Sequence, residues 1–298
     1  MELTKKQFEV LVAIEGNTRE KYSQRDIAID TNFSIGLVNK IVTSLLDMEL
    51  IDLKNRITEK GKQSLEPYRV KRAIFLAAGF GSRMVPITLN TPKPLVKVHG
   101  KRIIESLLDA VVAVGIKEII IVRGYLGEQF EVLLHKYPNI KFVDNEKYNE
   151  ANNISSAYLV KDMLENAYVL ESDLLLSNPN LIRKYEYSSN FLGVPVDRTD
   201  DWCFEVKNGI ITKQRIGGIN CYQMIGISYY TSKDGKQLSK DLEEVYLSPG
   251  GKEKYWDQVP LEIKKQNYEM NVRECKSEDI IEIDTFNELK AIDKTYDV

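Results

Sequence analysis

From residue 71 onward, short apolar runs alternate with helical patterns, and this alternation limits the possible folds more than any other feature of the chain. The runs cover residues 72–76, 118–122, 141–143, 167–170 and 191–194, and an amphipathic segment that ends at Gly115 lies between the first two. Strands that alternate with helices form parallel sheets with crossover helices. Asn208-Gly209 lies between two further strand patterns and predicts a type I′ hairpin, so we also expect an antiparallel element.

The segment before residue 70 has a different character, with short helical patterns separated by polar turns. Thr4 and Ser23 are suitable N-caps for two short helices, and Ser34 precedes a longer helix with one apolar face. A turn at 54–55 between apolar residues predicts a short two-stranded hairpin, and helical spacing resumes at Thr58. We therefore divide the chain into a small domain, residues 1–68, and an α/β domain, residues 69–298.

The composition excludes several classes of protein and of site. Of the 298 residues, 43% are hydrophobic and 29% are charged, which is typical of a globular protein. No apolar run is long enough to span a membrane, and the first residues lack the core of a signal peptide, so we expect a cytoplasmic protein. The three cysteines and two histidines are too scattered for a disulfide framework, a zinc site or a Ser/His/Asp triad.

The most informative stretch is LAAGFGSRMVPITLNTPKPL, residues 76–95. A buried strand leads directly into Gly79 and Gly81, at the strand end where open α/β sheets bind ligands. Glycines let backbone N–H groups approach phosphate oxygens, and Arg83 and Lys93 add positive charge. Dinucleotide-binding and Walker loops fit less well, because the third glycine and the Gly-Lys-Ser/Thr sequence that they need are absent. The stretch predicts a phosphate-binding loop.

Two later strand patterns end in carboxylates. An apolar strand runs into Glu171 and Asp173, and residues 279–284 alternate so that Glu282 and Asp284 share one face. Mg²⁺ prefers one or two carboxylates together with substrate phosphates, and a carboxylate at a strand end opposite a phosphate loop is placed to supply them. Without such a loop, solvated acidic side chains would be the simpler interpretation.

The pattern G-x-G-x-R-x-x-P-x-T followed by TPKPL resembles the signature of the nucleotidyltransferases that make sugar and alcohol nucleotides. The resemblance implies a mixed, mostly parallel, Rossmann-like sheet flanked by helices over residues 71–298. It also implies that Asp173 and Asp284 hold a catalytic Mg²⁺, that Arg83 lies against the departing pyrophosphate, and that Lys93 bridges the reacting phosphates. The nucleotide would contact Leu76, Ala77, Ala78, Gly79, Gly81, Ser82, Arg83, Lys93, Asn152 and Asn153.

Within this family the sequence most resembles the cytidylyltransferases that act on CTP and phosphocholine. Residues 122–133, 148–164, 200–206, 253–259 and 280–285 carry this resemblance. In those enzymes the choline head lies in an aromatic and acidic cage, and a quaternary ammonium, which has no N–H to donate, must be selected by such groups. The matching positions are Trp202, Tyr255, Trp256, Asp257 and Glu282. Capping of a helix is the alternative role for Asn152 and Asn153.

Residues 1–68 resemble the winged helix-turn-helix domains of MarR-like regulators, in the stretches 23–28, 34–51 and 57–62. In that family the helix that begins near Ser34 enters the major groove, so Ile35, Asn39, Lys40 and Thr43 would face DNA. Residues 1–70 hold 11 Lys and Arg against 11 Asp and Glu, whereas DNA binders usually show a basic stripe. DNA binding therefore stands beside a dimerisation or regulatory role. Because such domains often pair, we expect a homodimer.

The resemblance thus implies a Mg²⁺-dependent enzyme that transfers the cytidylyl group of CTP to phosphocholine, giving CDP-choline and pyrophosphate. Two alternatives stay open. One is the same reaction on another substrate, such as 2-aminoethylphosphonate, phosphoethanolamine or a sugar phosphate. The other is a transcription regulator that senses CTP or the product.

Overall fold

The computed structural model describes residues 2–297, and the chain divides after Arg69 into two compact units. Among the described residues, every helix is too short or too polar to cross a bilayer. The described part of the first unit contains four α-helices: α1 (Lys5–Gly16), α2 (Gln24–Thr31), α3 (Ile35–Asp47) and α4 (Glu59–Leu65).

Hydroxyl side chains begin all four helices of the first unit. Thr4, Ser23, Ser34 and Thr58 each accept a hydrogen bond from the backbone N–H three residues later, as N-caps do. Asn32, in the left-handed conformation with φ 56°, ends α2 and allows the short turn into α3. These local signals explain why the helix starts were predictable.

The first unit also contains a short hairpin after α3. Ile51 and Ile57 form an antiparallel bridge across a turn in which Asn55 has φ 54°. The apolar face of α3 is buried, whereas Ile35, Asn39, Lys40 and Thr43 lie on its exposed side. The order of helix, turn, helix and hairpin agrees with the predicted pattern of elements.

The second unit contains eleven strands and four helices in its described part. The strands are β1 (Arg72–Ala77), β2 (Lys97–Val98), β3 (Lys101–Arg102), β4 (Glu118–Arg123), β5 (Ile140–Asp144), β6 (Ala167–Glu171), β7 (Leu174–Leu176), β8 (Asn190–Lys207), β9 (Ile210–Tyr230), β10 (Asn271–Glu274) and β11 (Ile280–Glu282). The helices are α5 (Ile103–Ala113), α6 (Ile154–Leu159), α7 (Ser232–Leu247) and α8 (Phe286–Ile292).

Seven strands form the main sheet, in the order β10-β8-β9-β6-β1-β4-β5. Strands β5, β4, β1 and β6 run parallel, whereas β9 is antiparallel to both β6 and β8. The chain leaves β1 toward β4 and later returns to β6 on the other side, so the order reverses at β1. Ligands bind at such switch points in open α/β sheets. The predicted mixed, mostly parallel sheet is confirmed.

Both faces of the main sheet are covered, which explains its continuous apolar strands. Along β1, Ala73 and Phe75 face a core that includes Leu107 of α5, whereas Ile74 faces a second core that includes Leu238 of α7. Because β1 is buried on both sides, it holds the loop that follows it in a fixed position.

The long β8–β9 hairpin interrupts the parallel part, as the sequence predicts. Its turn residues Asn208 and Gly209 have φ 53° and 80°, the left-handed pair that a type I′ turn needs. The pairing register shifts between Thr199 and Trp202, so the hairpin is irregular there. This irregularity lies beside the candidate site.

Candidate active site

The loop after β1 packs closely against Lys93. Gly81 has φ +68°, and a Cβ atom at this position would lie 3.0 Å from the Lys93 Cβ and 3.2 Å from the Thr88 Cγ2. The Thr88 hydroxyl also donates to the Gly81 carbonyl at 3.0 Å. A Cβ on Gly79, in contrast, would meet no atom within 4 Å. Gly81 is therefore needed for the conformation of the loop, whereas Gly79 leaves open space for a ligand.

The carboxylates of Asp173 and Asp284 come together because β11 pairs with β7. Glu282 lies opposite Leu174 in this antiparallel pair, and the Ile283 N–H donates to the Asp173 carbonyl at 3.3 Å. Asp173 follows β6, the neighbour of β1 in the main sheet. The small sheet thus brings two acidic segments that are about a hundred residues apart in sequence to the glycine loop.

Lys93 is the buried cation at the centre of the site. Its Nζ lies 2.7 Å from the Asp173 Oδ2 and 2.8 Å from the Asp284 Oδ1, and Arg83 contacts the same Asp284 oxygen at 2.7 Å. Burial alone would lower the pKa of Lys93, but the charges and hydrogen bonds of the two carboxylates raise it above its ordinary value. Lys93 is therefore a permanent positive charge.

Three carboxylates beside Lys93 form a group that could hold a metal ion. Glu171, Asp173 and Glu282 each offer an oxygen, and these atoms lie within 4.8 Å of one another. Burial, and then the charges of Asp173 and Asp284, raise the pKa of Glu282 to about 8. Within residues 2–297, the Asp173 Oδ1 is buried without a hydrogen-bond partner. Crowded carboxylates with an unpartnered oxygen suit a hard divalent cation such as Mg²⁺.

The two predicted metal ligands, Asp173 and Asp284, therefore differ in their contacts. Asp173 belongs to the three-carboxylate group, whereas the Asp284 Oδ1 is bound by both Lys93 and Arg83. Burial would raise the pKa of Asp284, but Lys93 and then Arg83 hold it below its ordinary value. Glu171 was not among the predicted ligands, although it stands two residues before Asp173 in the same acidic strand end.

Another part of the cavity lining combines aromatic rings with carboxylates. The rings of Trp202 and Tyr255 meet edge to face, with centroids 5.9 Å apart at 67°. Asp257 also faces the cavity and is only 4% exposed. The register shift in β8 precedes Trp202. The backbone N–H of Trp202 donates to the Asp201 carboxylate at 2.7 Å. Rings and acids in this part of the lining suit a cationic ligand group.

The structure contradicts the prediction that Trp256 is a cage residue. Trp256 is 3% exposed and packs in the core, with ring centroids 6.0 Å from Phe191 and 6.1 Å from Tyr230. Its backbone N–H donates to the Asn153 Oδ1 at 2.9 Å. Adjacent side chains in this turn point in different directions, so Tyr255 and Asp257 reach the cavity whereas Trp256 fills the space behind it.

Asn152 and Asn153 connect the nucleotide side of the cavity to the segment that carries Tyr255. The Asn152 Nδ2 donates to the Glu253 carbonyl at 3.2 Å, and Asn153 accepts from the Trp256 N–H. Asn153 occupies the position before α6, but its side chain makes no capping hydrogen bond. Both side chains thus hold the cavity wall. A helix-capping bond is not observed for Asn153, whereas the Asn152 Oδ1 accepts from the Asn153 N–H at 2.7 Å, directly before α6.

One cavity of about 630 Å³ brings these groups together. Apart from Trp256, every predicted site residue lines it: Leu76, Ala77, Ala78, Gly79, Gly81, Ser82, Arg83, Lys93, Asn152, Asn153, Asp173, Trp202, Tyr255, Asp257, Glu282 and Asp284. Residues that the prediction missed also line it, among them Asn145, Tyr148, Ser155, Ser156, Glu171, Asp201, Met224 and Gly226. Asn145 follows β5 directly, so its place at a strand end was the available signal.

Comparison with known proteins identifies the family. The model of the nucleotidyl transferase family matches residues 72–194. The 2-aminoethylphosphonate cytidylyltransferase of Lancefieldella rimae is 36% identical over 228 residues, which cover 75% of this chain and 92% of the relative. The chain belongs to the nucleotidyltransferase family. The prediction of that family from the glycine loop and the TPKPL sequence is therefore confirmed.

Other relatives of this nucleotidyltransferase support the same assignment. Choline-phosphate cytidylyltransferase of Streptococcus pneumoniae is 34% identical over 230 residues, covering 75% of this chain and 97% of the relative. A solved structure of CTP:phosphocholine cytidylyltransferase from the same organism has a TM-score of 0.70 at 33% identity and covers 76% of this chain and 99% of that one. The family model begins at residue 72, so its match lies in the second unit.

Proposed function

We propose that this nucleotidyltransferase transfers the cytidylyl group of CTP to the phosphate or phosphonate oxygen of a small cationic substrate and releases pyrophosphate. The observation that carries the proposal is a single cavity whose lining includes Lys93, the glycine loop and the Trp202–Tyr255 pair. Lys93 and the glycine loop suit the triphosphate, and the aromatic pair suits an ammonium group. Cytidylyltransferases at 34–36% identity support the choice of CTP.

The reaction needs little covalent chemistry from the protein, because the attacking oxygen is already anionic. That oxygen forms a bond to the α-phosphorus of CTP while the bond from the α-phosphorus to the bridging oxygen breaks, and pyrophosphate leaves with that oxygen. Lys93 and Arg83 neutralise the charge that gathers on the leaving group, and the backbone of the glycine loop orients the triphosphate. Positioning and fixed charge therefore account for the catalysis.

Mg²⁺ is the cofactor that we propose. Asp173 would hold it, with Asp284 as predicted and with Glu171 and Glu282, the other members of the three-carboxylate group. When bound, such an ion supplies positive charge that brings two anionic reactants together. The unpartnered Asp173 Oδ1 is the observation that fits this role.

Phosphocholine is the substrate that we propose, with 2-aminoethylphosphonate as the second candidate. Trp202 and Tyr255 offer ring faces to a quaternary ammonium, and Asp257 and Glu282 supply negative charge. The burial of Trp256 favours the second candidate, because it leaves fewer rings beside the carboxylates, and a primary ammonium can donate hydrogen bonds to carboxylates. The relatives include enzymes named for each substrate.

The test is pyrophosphate release by the purified chain with Mg²⁺, comparing CTP with the other nucleoside triphosphates. The acceptors are phosphocholine, 2-aminoethylphosphonate, phosphoethanolamine and glucose-1-phosphate. We expect release with CTP and an ammonium-bearing acceptor. Preference for a primary amine would keep the reaction and replace phosphocholine. Absence of release on every pair, from protein that binds CTP, would contradict catalysis and support a CTP-sensing regulator.

For the first unit we propose a winged helix-turn-helix that pairs two chains into a dimer or has a regulatory role, with DNA binding as the alternative. The turn between α2 and α3, the hairpin after α3 and the exposed Ile35, Asn39, Lys40 and Thr43 support the proposal. A gel shift with upstream DNA at several salt concentrations tests DNA binding, since Lys contacts to phosphate weaken as salt rises. Light scattering tests the dimer. A monomer that leaves this DNA unshifted at low salt would contradict both parts.

A further inference from the structure

Asp257 is a buried carboxylate that has no cation beside it in the described chain. It is 4% exposed, lines the cavity beside Trp202 and Tyr255, and forms no ion pair within residues 2–297. Its side-chain partner is a neutral amide: the Gln214 Nε2 donates a hydrogen bond to the Asp257 Oδ2. A buried carboxylate of this kind is costly unless a cation approaches it.

Gln214 lies behind Asp257 and does not line the cavity. It belongs to β9, is 5% exposed and pairs with Phe204 of β8. The same Nε2 also lies 3.4 Å from the Met224 Sδ, and among the described residues the Gln214 Oε1 has no hydrogen-bond partner. Among the described residues, the hydrogen-bond partners of the amide are therefore the Asp257 carboxylate and the Met224 sulfur.

We infer that Gln214 is a positioning residue that fixes the Asp257 carboxylate as the counter-ion of the substrate's ammonium group. The inference rests on the proposed function and goes beyond it, because it assigns selectivity for a cationic substrate to a residue outside the cavity wall. Gln214 does not touch the substrate and acts only through Asp257.

The physical reason is that the hydrogen bond from the Gln214 amide favours the charged form of Asp257. Burial raises the pKa of Asp257, and the hydrogen bond from Gln214 opposes that rise. Without this donor, the carboxylate would take up a proton or turn away, and in either case the cavity would lose the negative charge that attracts an ammonium. The glycine loop and Lys93, which serve the nucleotide, would keep their places.

Three variants test the inference. Gln214→Leu removes the hydrogen bond. The double variant Gln214→Glu with Asp257→Asn restores a hydrogen bond in the reverse direction, because the new Asn donates and the new Glu accepts, but it withdraws the charge from the cavity wall. Gln237→Leu is the matched control, since Gln237 donates to the buried Asp241 of α7 at 3.0 Å, away from the cavity lining.

The assay measures kcat and KM with two pairs of acceptors at saturating CTP. The pairs are phosphocholine with its neutral isostere, in which carbon replaces the ammonium nitrogen, and 2-aminoethylphosphonate with propylphosphonate. For Gln214→Leu we expect the KM of the cationic acceptor to rise about tenfold to a hundredfold, as for loss of a hydrogen bond to a charged group. The KM of the neutral partner should change far less, so the preference for the cation falls.

The double variant separates charge placement from structure. We expect it to melt near the wild-type temperature while the KM for the cationic acceptor stays raised. Recovery of that KM in the double variant would show that the hydrogen bond is merely structural and would overturn the inference. The inference would also be overturned if Gln214→Leu kept the wild-type preference for the cationic acceptor, or if Gln237→Leu lost that preference to the same extent. An inactive wild-type chain would instead contradict the proposed function, so the two failures are distinguishable.

Discussion

Replacing Lys93 with alanine should lower kcat by about two to three orders of magnitude, the usual cost of losing one preorganised group that stabilises transition-state charge. The Lys93 Nζ bridges Asp173 and Asp284 at 2.7 and 2.8 Å, and the residue is 7% exposed. Apart from Lys93, Arg83 is the only described cation that contacts this carboxylate pair, and its side chain is 66% exposed. Water would screen Arg83 too strongly for it to replace Lys93.

The same substitution should cost little enough stability for the protein to fold. Breaking a fully buried ion pair costs about 3–5 kcal/mol. Here the Asp173 and Asp284 side chains keep 23% and 19% exposure, so we expect about 1–3 kcal/mol, because water can solvate them in part. Millimolar Mg²⁺ should recover some of this loss, since it can neutralise the carboxylates that Lys93 leaves.

The measurement combines steady-state pyrophosphate release with thermal unfolding, each with and without Mg²⁺. Lys161→Ala is the matched control, because Lys161 also contacts two carboxylates, Asp162 at 3.3 Å and Glu243 at 3.5 Å, and is not part of the cavity lining. The control should retain wild-type kcat. A folded Lys93→Ala protein with wild-type kcat would refute the role that we give to Lys93.

The site supports three further predictions, which concern the glycine loop, the pair of tryptophans and the effect of pH. Gly81→Ala should destabilise the protein by about 1–2 kcal/mol through its φ of +68° and weaken CTP binding by displacing the loop, measured by unfolding and by calorimetric titration. Trp202→Ala should raise the KM for the cationic acceptor by about three- to thirtyfold with little change in stability. Trp256→Ala should instead lower the free energy of unfolding by about 3–5 kcal/mol. Without Mg²⁺, the free energy of unfolding should fall as the pH rises from about 5 to 8, and Glu282→Gln should reduce that fall.

The direction of the pH effect follows from the proton on Glu282. Its pKa is about 8 in the folded protein against an ordinary 4.5, so between these values the folded state holds a proton that the unfolded chain has lost. Stability from this group is therefore present at low pH and lost as the pH rises through 8. A slope that is equally steep in Glu282→Gln would show that other groups cause it.

Control variants distinguish the predicted effects of the glycine and tryptophan substitutions from non-specific destabilisation. Gly79→Ala should melt normally, because its Cβ would meet no atom within 4 Å, and equal destabilisation by both glycine variants would contradict the loop argument. If Trp202→Ala left the KM unchanged while Trp256→Ala raised it, the assignment of the two tryptophans would be reversed.

Local sequence signals predicted the fold well where short-range physics decides the structure. The paired left-handed residues Asn208 and Gly209 define a turn by themselves, and Ser34 defines a helix start through one hydrogen bond. The strands of the parallel sheet were recognisable because both of their faces are buried, so their sequences are apolar throughout.

Long-range arrangements were harder to predict. Trp256 and Tyr255 are neighbours in sequence, yet one fills the core and the other faces the cavity, because the direction of each side chain depends on packing against Phe191 and Asn153. The link from Gln214 to Asp257 joins residues that are far apart in the chain, and no local pattern marks such a pair.

The central claim is that an oxygen of the acceptor attacks the α-phosphorus of CTP in this cavity. The most direct measurement uses an acceptor whose non-bridging phosphate or phosphonate oxygens carry oxygen-18, followed by mass spectrometry of both products. The account predicts that the two products form in equal amounts. All of the label should appear in the cytidine-linked product and none in pyrophosphate. Label in pyrophosphate, or pyrophosphate formed without a cytidine-linked product, would contradict it.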